Sequence, residues 1–111
     1  MRHSVLMIRP LPQCLKEIAE FPEEIRGDLA DALARLDDGQ FLSMPLSRPM
    51  PSIGKGVHEL RFRNRAGIYR VIYILAGAGL IYLLHAFMKK TQKTPQPNID
   101  LAKRRLKEIN R

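Results

Sequence analysis

Two arginines and a histidine are the residues of this chain best suited to chemistry. Arg61, Arg70 and His85 lie in three consecutive short segments of the chain. Arginine presents a planar fork of donors that matches a phosphate group, and a neutral imidazole can accept a proton near physiological pH. If the fold brings these side chains together, they form a site for chemistry at a phosphate.

The three segments are predicted strands joined by two short links. They span residues 58–63, 68–75 and 80–87, and the links between them are the four-residue stretches "NRAG" and "AGAG". Links of this length and composition are typical of β-hairpins. If both links close directly, Arg61 lies opposite Arg70 and Arg70 lies opposite His85, so the three side chains form one row across the sheet.

The same register assigns the other side chains to rows and faces. One adjoining row holds Glu59, Ile72 and Leu83, and the other holds Arg63, Ile68 and Phe87. The opposite face carries Leu60, Phe62, Tyr69, Val71, Tyr73, Tyr82 and Leu84. That apolar face is predicted to carry the helices, and the face with the arginines is predicted to stay open.

Two arginines opposite each other repel, and two arrangements would relieve the cost. A bound phosphate would turn the repulsion into charge-assisted hydrogen bonds. A diagonal ion pair between Glu59 and Arg70 would also relieve it, and the pattern favours neither explanation. His85 on a sheet is by default a partly buried histidine with a satisfied hydrogen bond, although neighbouring arginines would disfavour its cationic form.

The stretch "HAFMKKTQKTP" continues from the predicted site along the last strand. Lys89, Lys90 and Lys93 would ordinarily form a solvated edge, but here they follow the strand that carries His85 and would rim the same surface. Phe87 is by default a core residue, yet its predicted place beside Arg63 would let it stack on a base. The stretch is therefore predicted to bind phosphate.

Helices are predicted both before and after these strands in the sequence. Apolar residues recur at helical spacing in three segments, at residues 11–19, 25–36 and 99–109. Thr94 is predicted to cap the third helix, with Pro95 at its first position. Residues 5–8 are predicted to form a short first strand, and residues 43–56 an ordered loop. The predicted fold is α+β: a small antiparallel sheet with helices packed on one face, in the order βααβββα.

Composition and charge limit the class of protein. The 111 residues suit one domain, and a hydrophobic content of 45% is enough for a folded core. Residues 1–58 hold seven Lys/Arg and eight Asp/Glu, a net charge of −1, whereas residues 59–111 hold twelve and three, a net charge of +9. A basic half indicates an anionic partner, which could be RNA, DNA, a membrane surface or an acidic protein.

Cysteine, histidine and hydropathy patterns narrow the classes further. A single cysteine, Cys14, excludes an internal disulfide and a multi-cysteine zinc site, and the three histidines lack metal-ligand spacing, so metal-free chemistry is favoured. The apolar run at residues 68–88 contains Arg70 and His85 and is interrupted by "AGAG". It is therefore predicted to form strands rather than a membrane-spanning helix.

Two stretches carry a resemblance to a known family. "GVHELRFRNRAGIYRVIYIL" and "LLHAFMKKTQKTP" resemble the HigB-like branch of the RelE/ParE toxin superfamily, and the resemblance spans nearly the whole chain. It implies a cytoplasmic toxin of a type II toxin–antitoxin module, a single domain over residues 1–111. It also implies an endoribonuclease that uses no metal or cofactor, cleaves mRNA, commonly on the ribosome, and is bound by an antitoxin with a helix-turn-helix domain.

The resemblance also assigns roles within the predicted site. Arg61 and Arg70 would clamp the phosphate, His85 would transfer a proton, and Phe87 would orient a base. The other basic residues would hold the RNA backbone: Arg63, Lys89, Lys90 and Lys93. Two further functions stay open, namely a member of the fold that binds RNA or protein without cutting, and a ParE-like inhibitor of gyrase.

Overall fold

The computed structural model describes residues 7–91 and 93–110, which form a five-stranded sheet and three helices. The strands are β1 (Met7–Pro10), β2 (Ser47–Pro49), β3 (Val57–Arg63), β4 (Ile68–Leu75) and β5 (Leu80–Lys89). The helices are α1 (Pro12–Ala19), α2 (Glu23–Asp37) and α3 (Gln96–Ile109). The predicted α+β class is confirmed, with one strand more than predicted. None of the described helices is long and apolar enough to cross a membrane.

The sheet is mixed, whereas an antiparallel sheet is predicted from the sequence. Its strand order is β1-β5-β4-β3-β2, with β1 parallel to β5 and all other neighbours antiparallel. The predicted first strand at residues 5–8 lies partly outside the described residues, and β1 continues to Pro10. The unpredicted strand is β2, which is only three residues long and lies in a proline-rich segment. Its Pro49 suits an edge strand, where a missing N–H does not interrupt a ladder.

Helices cover both faces of the sheet, so the prediction of helices on one face is wrong. α1 and α2 pack on the face that carries Leu60 and Val71. α3 packs on the other face, over Ile72, Ile74 and Leu84. The reason is that β4 is apolar on both sides, and a strand of this kind needs cover on both faces. Only part of the second face is left for the arginines.

The first hairpin has the predicted register, but the second closes differently. Arg61 lies opposite Arg70, as predicted. In the turn between β4 and β5, the backbone N–H of Ala76 donates to the carbonyl of Leu80 over 2.9 Å, which leaves three residues in the turn instead of four. Both glycines of this turn adopt positive φ, at 81° and 76°, a conformation that glycine adopts without steric cost.

A β-bulge at Leu84 shifts β5 by one more residue. One shift alone would turn the following side chains to the other face, whereas two shifts restore the face and displace the strand by one row. His85 therefore lies opposite Ile72, and Phe87 lies opposite Arg70. The predicted pairing of Arg70 with His85 is wrong for this reason.

The shorter turn exchanges the faces of the β5 residues that follow it, up to and including the bulge residue. Tyr82 and Leu84 are predicted on the face of α1 and α2, but both contact the core beneath α3. Leu83 is predicted on the groove face, but it lies in the core beneath α1 and α2. Residues beyond the bulge return to their predicted faces.

Candidate functional site

A cationic groove opens where β3 and β4 meet the loop before β2. It has a volume of about 450 Å³ and is lined by three arginines and four apolar residues: Arg61, Arg63, Arg70, Pro45, Leu46, Phe62 and Ile68. Three guanidiniums at one groove suit an anion with several oxygens, such as a phosphodiester. Within the described residues, no group of three or more His, Cys, Asp or Glu side chains could hold a metal ion.

Arg61 is half-buried at the side of this groove and makes weak contacts. Its Nη1 lies 3.9 Å from the sulfur of Met44, which is a weak acceptor. Its Nε is buried and has no hydrogen-bond partner among the residues that the structure describes. Leaving a buried donor unsatisfied costs about 1–3 kcal/mol. An oxygen of a bound anion would supply the missing acceptor.

Arg70 is buried at the floor of the groove and has a buried counterion. Its Nε is 3.4 Å from Oε1 of Glu59, and the two side chains are 3% and 1% exposed. Burial lowers the pKa of Arg70, the charge of Glu59 counteracts this, and the charge of Arg61 adds to the lowering. The diagonal ion pair considered from the sequence is therefore present. It offsets only one of the three positive charges of the groove.

Lys89 is a further buried cation beside the arginine pair. It lies opposite Ile68 and is only 6% exposed, whereas the sequence predicted it at a rim. Burial, followed by the charge of Arg70, lowers the pKa of Lys89 to about 8. Its ammonium group can therefore give up a proton near neutral pH. Lys90 and Lys93, by contrast, are exposed beyond the end of the buried strand.

His85 lies one row from the arginine pair and is buried, with 4% exposure. Its Nε2 is 2.8 Å from Nδ2 of Asn98, and its Nδ1 is 3.0 Å from Oε1 of Glu17. An amide nitrogen only donates, so Nε2 accepts from Asn98 and Nδ1 carries the proton that Glu17 accepts. The predicted row therefore holds Arg61 and Arg70 but not His85, whose two nitrogens are engaged by α3 and α1.

Glu17 is the centre of a hydrogen-bond network that joins α1, β5 and α3. It accepts from Nη1 and Nη2 of Arg105 at 2.7 and 3.1 Å, and from the backbone N–H of Ala86 at 3.1 Å. Nη1 of Arg105 also donates to the carbonyl of Leu84, the bulge residue, at 2.9 Å. Burial opposes ionisation of Glu17, but hydrogen bonds from Arg105, His85 and Ala86 outweigh it and lower the pKa of Glu17.

The sequence gives no local sign of this network. Glu17 and Arg105 are 88 residues apart, so no spacing rule relates them. Arg105 belongs to a run of basic residues near the end of a helix, where cations ordinarily complement the helix dipole. Its position beside the apolar stripe of α3, next to Leu106, is the one feature that points toward burial.

Acidification should weaken the fold through His85. Burial lowers the pKa of His85 below its ordinary value of 6.5, although Glu17 acts in the opposite direction. The imidazole is therefore neutral in the folded chain, and its stabilising effect, complete above pH 6.5, is lost as the pH falls through the folded pKa. We expect the free energy of unfolding in urea to decrease between about pH 7 and pH 5, and to decrease less in His85→Asn. An equal decrease in both proteins would assign the effect to another group.

Phe87 lies between His85 and the arginine pair. Its ring stacks on the His85 imidazole, with centroids 4.8 Å apart and planes inclined by 24°. The ring is buried in the core beneath α3, and it lies opposite Arg70. The sequence predicted Phe87 beside Arg63 as a platform for a base, but that position is occupied by Lys89.

Comparison with known proteins identifies the family of this chain. A profile of the phage-derived Gp49-like proteins matches residues 16–107. No curated protein matches the sequence. Among solved structures, a double arginine-to-alanine mutant of the E. coli toxin RelE in the free state matches with a TM-score of 0.65 at 12% identity, covering 95% of this chain and 98% of that chain. The chain therefore belongs to the phage-derived Gp49-like family and has the fold of the RelE-like toxin superfamily, which confirms the resemblance of its sequence to that superfamily.

Proposed function

We propose that this protein is the toxin of a toxin–antitoxin module and that it cleaves mRNA in its cationic groove. The observation that carries the proposal is the pair Arg61 and Arg70, which face each other across two strands and line an open groove. Like charges placed in this way destabilise a sheet, and a phosphodiester bound between them would reverse the effect. Membership of the family and the resemblance to RelE-like toxins support a toxin that acts on RNA.

The proposed reaction is attack of a ribose 2′-hydroxyl on the adjacent phosphorus. The bond from the 2′-oxygen to phosphorus forms, the bond from phosphorus to the 5′-oxygen breaks, and a 2′,3′-cyclic phosphate remains. The 2′-hydroxyl proton passes to solvent, and the Lys89 ammonium donates a proton to the leaving 5′-oxygen. A group with a pKa of about 8 suits this step, because it is mostly protonated yet acidic near neutral pH. Arg61 and Arg70 stabilise the added negative charge.

The remaining residues of the predicted site have supporting roles in this proposal. Arg63, Lys90 and Lys93 are exposed and would bind the RNA backbone. His85 and Phe87 are buried and would act by holding β5 against the helices. This revises the proton-transfer role that the family resemblance implied for His85, and it assigns that role to the neighbouring lysine of the same strand.

Mapping of RNA ends after induced expression tests the proposal. The wild-type chain should arrest growth and create new mRNA ends that carry cyclic phosphates. Mapping with and without active ribosomes then tells whether cleavage requires translation. Lys89→Met should remain folded and leave few new ends, because the proton donor is lost while the arginines remain.

Other outcomes of that experiment would contradict cleavage. Growth arrest without new RNA ends would indicate a member of the fold that binds RNA or protein without cutting. Growth arrest with induction of the DNA-damage response would indicate a gyrase inhibitor. If Lys89→Met cleaved RNA fully and His85→Asn did not, the proton donor would be His85 and not Lys89.

An antitoxin is the partner that this proposal implies. By resemblance it would carry a helix-turn-helix domain, and it would inhibit by covering or distorting the cationic groove. An acidic segment would be favoured there by charge complementarity, which also speeds association. The site of action would be the cytoplasm, where mRNA and ribosomes are found.

A further inference from the structure

A single buried carboxylate lies among the cations of the groove. The described strands β2 to β5 contain five Lys/Arg residues but one acidic residue, Glu59. Glu59 pairs with Arg48 on one side and Ile72 on the other, and it is 1% exposed. Burying a carboxylate is strongly unfavourable unless it is paired and hydrogen-bonded. Its partners therefore show what it does in the fold.

The two oxygens of Glu59 contact different elements. Oε1 lies 3.4 Å from Nε of Arg70, and Oε2 accepts a hydrogen bond of 2.7 Å from the hydroxyl of Thr94. Thr94 is predicted to cap α3, but that helix starts after Pro95 without a side-chain cap. The threonine hydroxyl instead orients the carboxylate, and the carboxylate in turn faces the Arg70 guanidinium.

Glu59 also acts on Lys89 against the surrounding cations. These cations are Arg48 on β2, Arg61 on β3 and Arg70 on β4. Burial and the positive charges lower the pKa of Lys89, and the charge of Glu59 raises it. Among the described residues that shift this pKa, Glu59 is the one that favours the ammonium form.

We propose that Glu59 is a positioning residue of the groove: held by Thr94, it orients the Arg70 guanidinium toward the bound phosphodiester, and its negative charge acts on the Lys89 ammonium group. The inference rests on the cleavage proposed above, since it assigns a purpose to the charge state of Lys89. Glu59 itself touches no reacting atom, and it acts through Arg70 and Lys89.

The decisive variant is Glu59→Gln, which keeps the size of the side chain and an acceptor for Thr94 but removes the charge. The pKa of Lys89, measured by NMR titration of its Cε and Nζ resonances without RNA, should fall by about half a pH unit or more, a threefold change in the ratio of ammonium to amine. The alkaline limb of the cleavage rate should move to lower pH by the same amount. Glu108→Gln, an exposed change on α3, should shift neither.

Thr94→Val tests the orientation of the Arg70 guanidinium separately from the charge of Glu59. It removes the hydroxyl but keeps the Glu59 side chain, so the pKa of Lys89 should stay near that of the wild type. The turnover rate for RNA should fall several-fold with little change in KM, because Arg70 is less well aligned in the transition state. Thr94→Ser restores the hydroxyl and should restore turnover. If Glu59→Gln does not fold, Thr94→Val and Thr94→Ser still test the orientation of Arg70.

The two proposals fail in different ways. An unchanged pKa of Lys89 in folded Glu59→Gln would overturn the role of Glu59 even if RNA cleavage is established. If the pKa of Lys89 shifted in Glu59→Gln but the wild-type protein left no new RNA ends, the effect of Glu59 on Lys89 would be supported and the proposed cleavage would be overturned. Unchanged turnover in Thr94→Val would overturn the orientation of Arg70 by the threonine.

Discussion

Arg61→Met should lower the rate of RNA cleavage on the order of 10²–10³-fold while leaving the protein folded. The guanidinium lies at the groove opposite Arg70, where negative charge would develop on the phosphate oxygens. Loss of one preorganised donor at such a position commonly has an effect of this size. The measurement is the single-turnover rate of purified protein on RNA, with ribosomes if mapping shows that they are required.

The stability of Arg61→Met separates a functional role from a structural one. The Nε of Arg61 is buried without a hydrogen-bond partner among the described residues, and the charge of Arg61 lowers the pKa of Arg70. Methionine removes both the unsatisfied donor and the repulsion between the two guanidiniums, and it keeps much of the aliphatic packing. We therefore expect the free energy of unfolding to stay unchanged or to rise slightly, as at sites where function opposes stability.

Arg104→Met is the matched control, because it removes a guanidinium from the exposed surface of α3. Both its cleavage rate and its stability should resemble those of the wild type. If Arg61→Met retained full cleavage, the cationic groove would not be the site of the reaction. A large loss of stability in that variant would show that Arg61 serves the fold.

Glu17→Ala should have the largest effect on stability, lowering the free energy of unfolding by about 2–3 kcal/mol. The change leaves the buried Arg105 without its anion and leaves the Nδ1–H of His85 and the backbone N–H of Ala86 without their acceptor. Breaking a fully buried pair costs more, but the Glu17 side chain is 25% exposed, so solvent compensates in part. Urea unfolding at neutral pH measures the effect.

Glu20→Ala is the control for this variant, since Glu20 is exposed at the end of the same helix. Its effect should stay within about 0.5 kcal/mol. Adding Arg105→Met to Glu17→Ala should recover part of the loss, because the stranded charge is then removed as well. A double variant no more stable than Glu17→Ala would show that the cost does not come from the unpaired guanidinium.

The β3–β4 hairpin could be predicted from sequence because its signals are local. Oδ1 of Asn64 accepts hydrogen bonds from the backbone N–H groups of Ala66 and Gly67, all within the four-residue link. The hairpin therefore closes where the link ends, and the pair of Arg61 and Arg70 follows from counting along the two strands.

The position of His85 could not be predicted, because distant residues determine it. The carbonyl of the bulge residue Leu84 accepts from Arg105, and the N–H of Ala86 donates to Glu17. Both partners lie far away in the chain, and nothing in the sequence of β5 shows that it bulges. A three-residue turn and a bulge together displace His85 by one row while keeping its face, so alternation of polar and apolar residues does not reveal the error.

The second helical face could have been anticipated from β4. Ile72 and Ile74 are apolar and lie on the same side of the strand as Arg70, so that side could not remain fully exposed to solvent. The apolar stripe of α3 is evident in the sequence, but a single layer of helices assigns it to the wrong side of the sheet. A strand that is apolar on both sides needs cover on both faces, and this requirement outweighs the simpler arrangement with all helices in one layer.

The bond between Glu17 and Arg105 spans 88 residues, and this separation has a consequence for synthesis. Translation delivers α1 early and α3 late, so a nascent chain that has already extended through β5 still lacks the guanidinium that holds Leu84 and Glu17. The face over Ile72 is bare during the same interval. The packing of α3 over this face and the bonds of Arg105 can therefore form only after α3 has left the ribosome, so they are among the last contacts of the domain to be made.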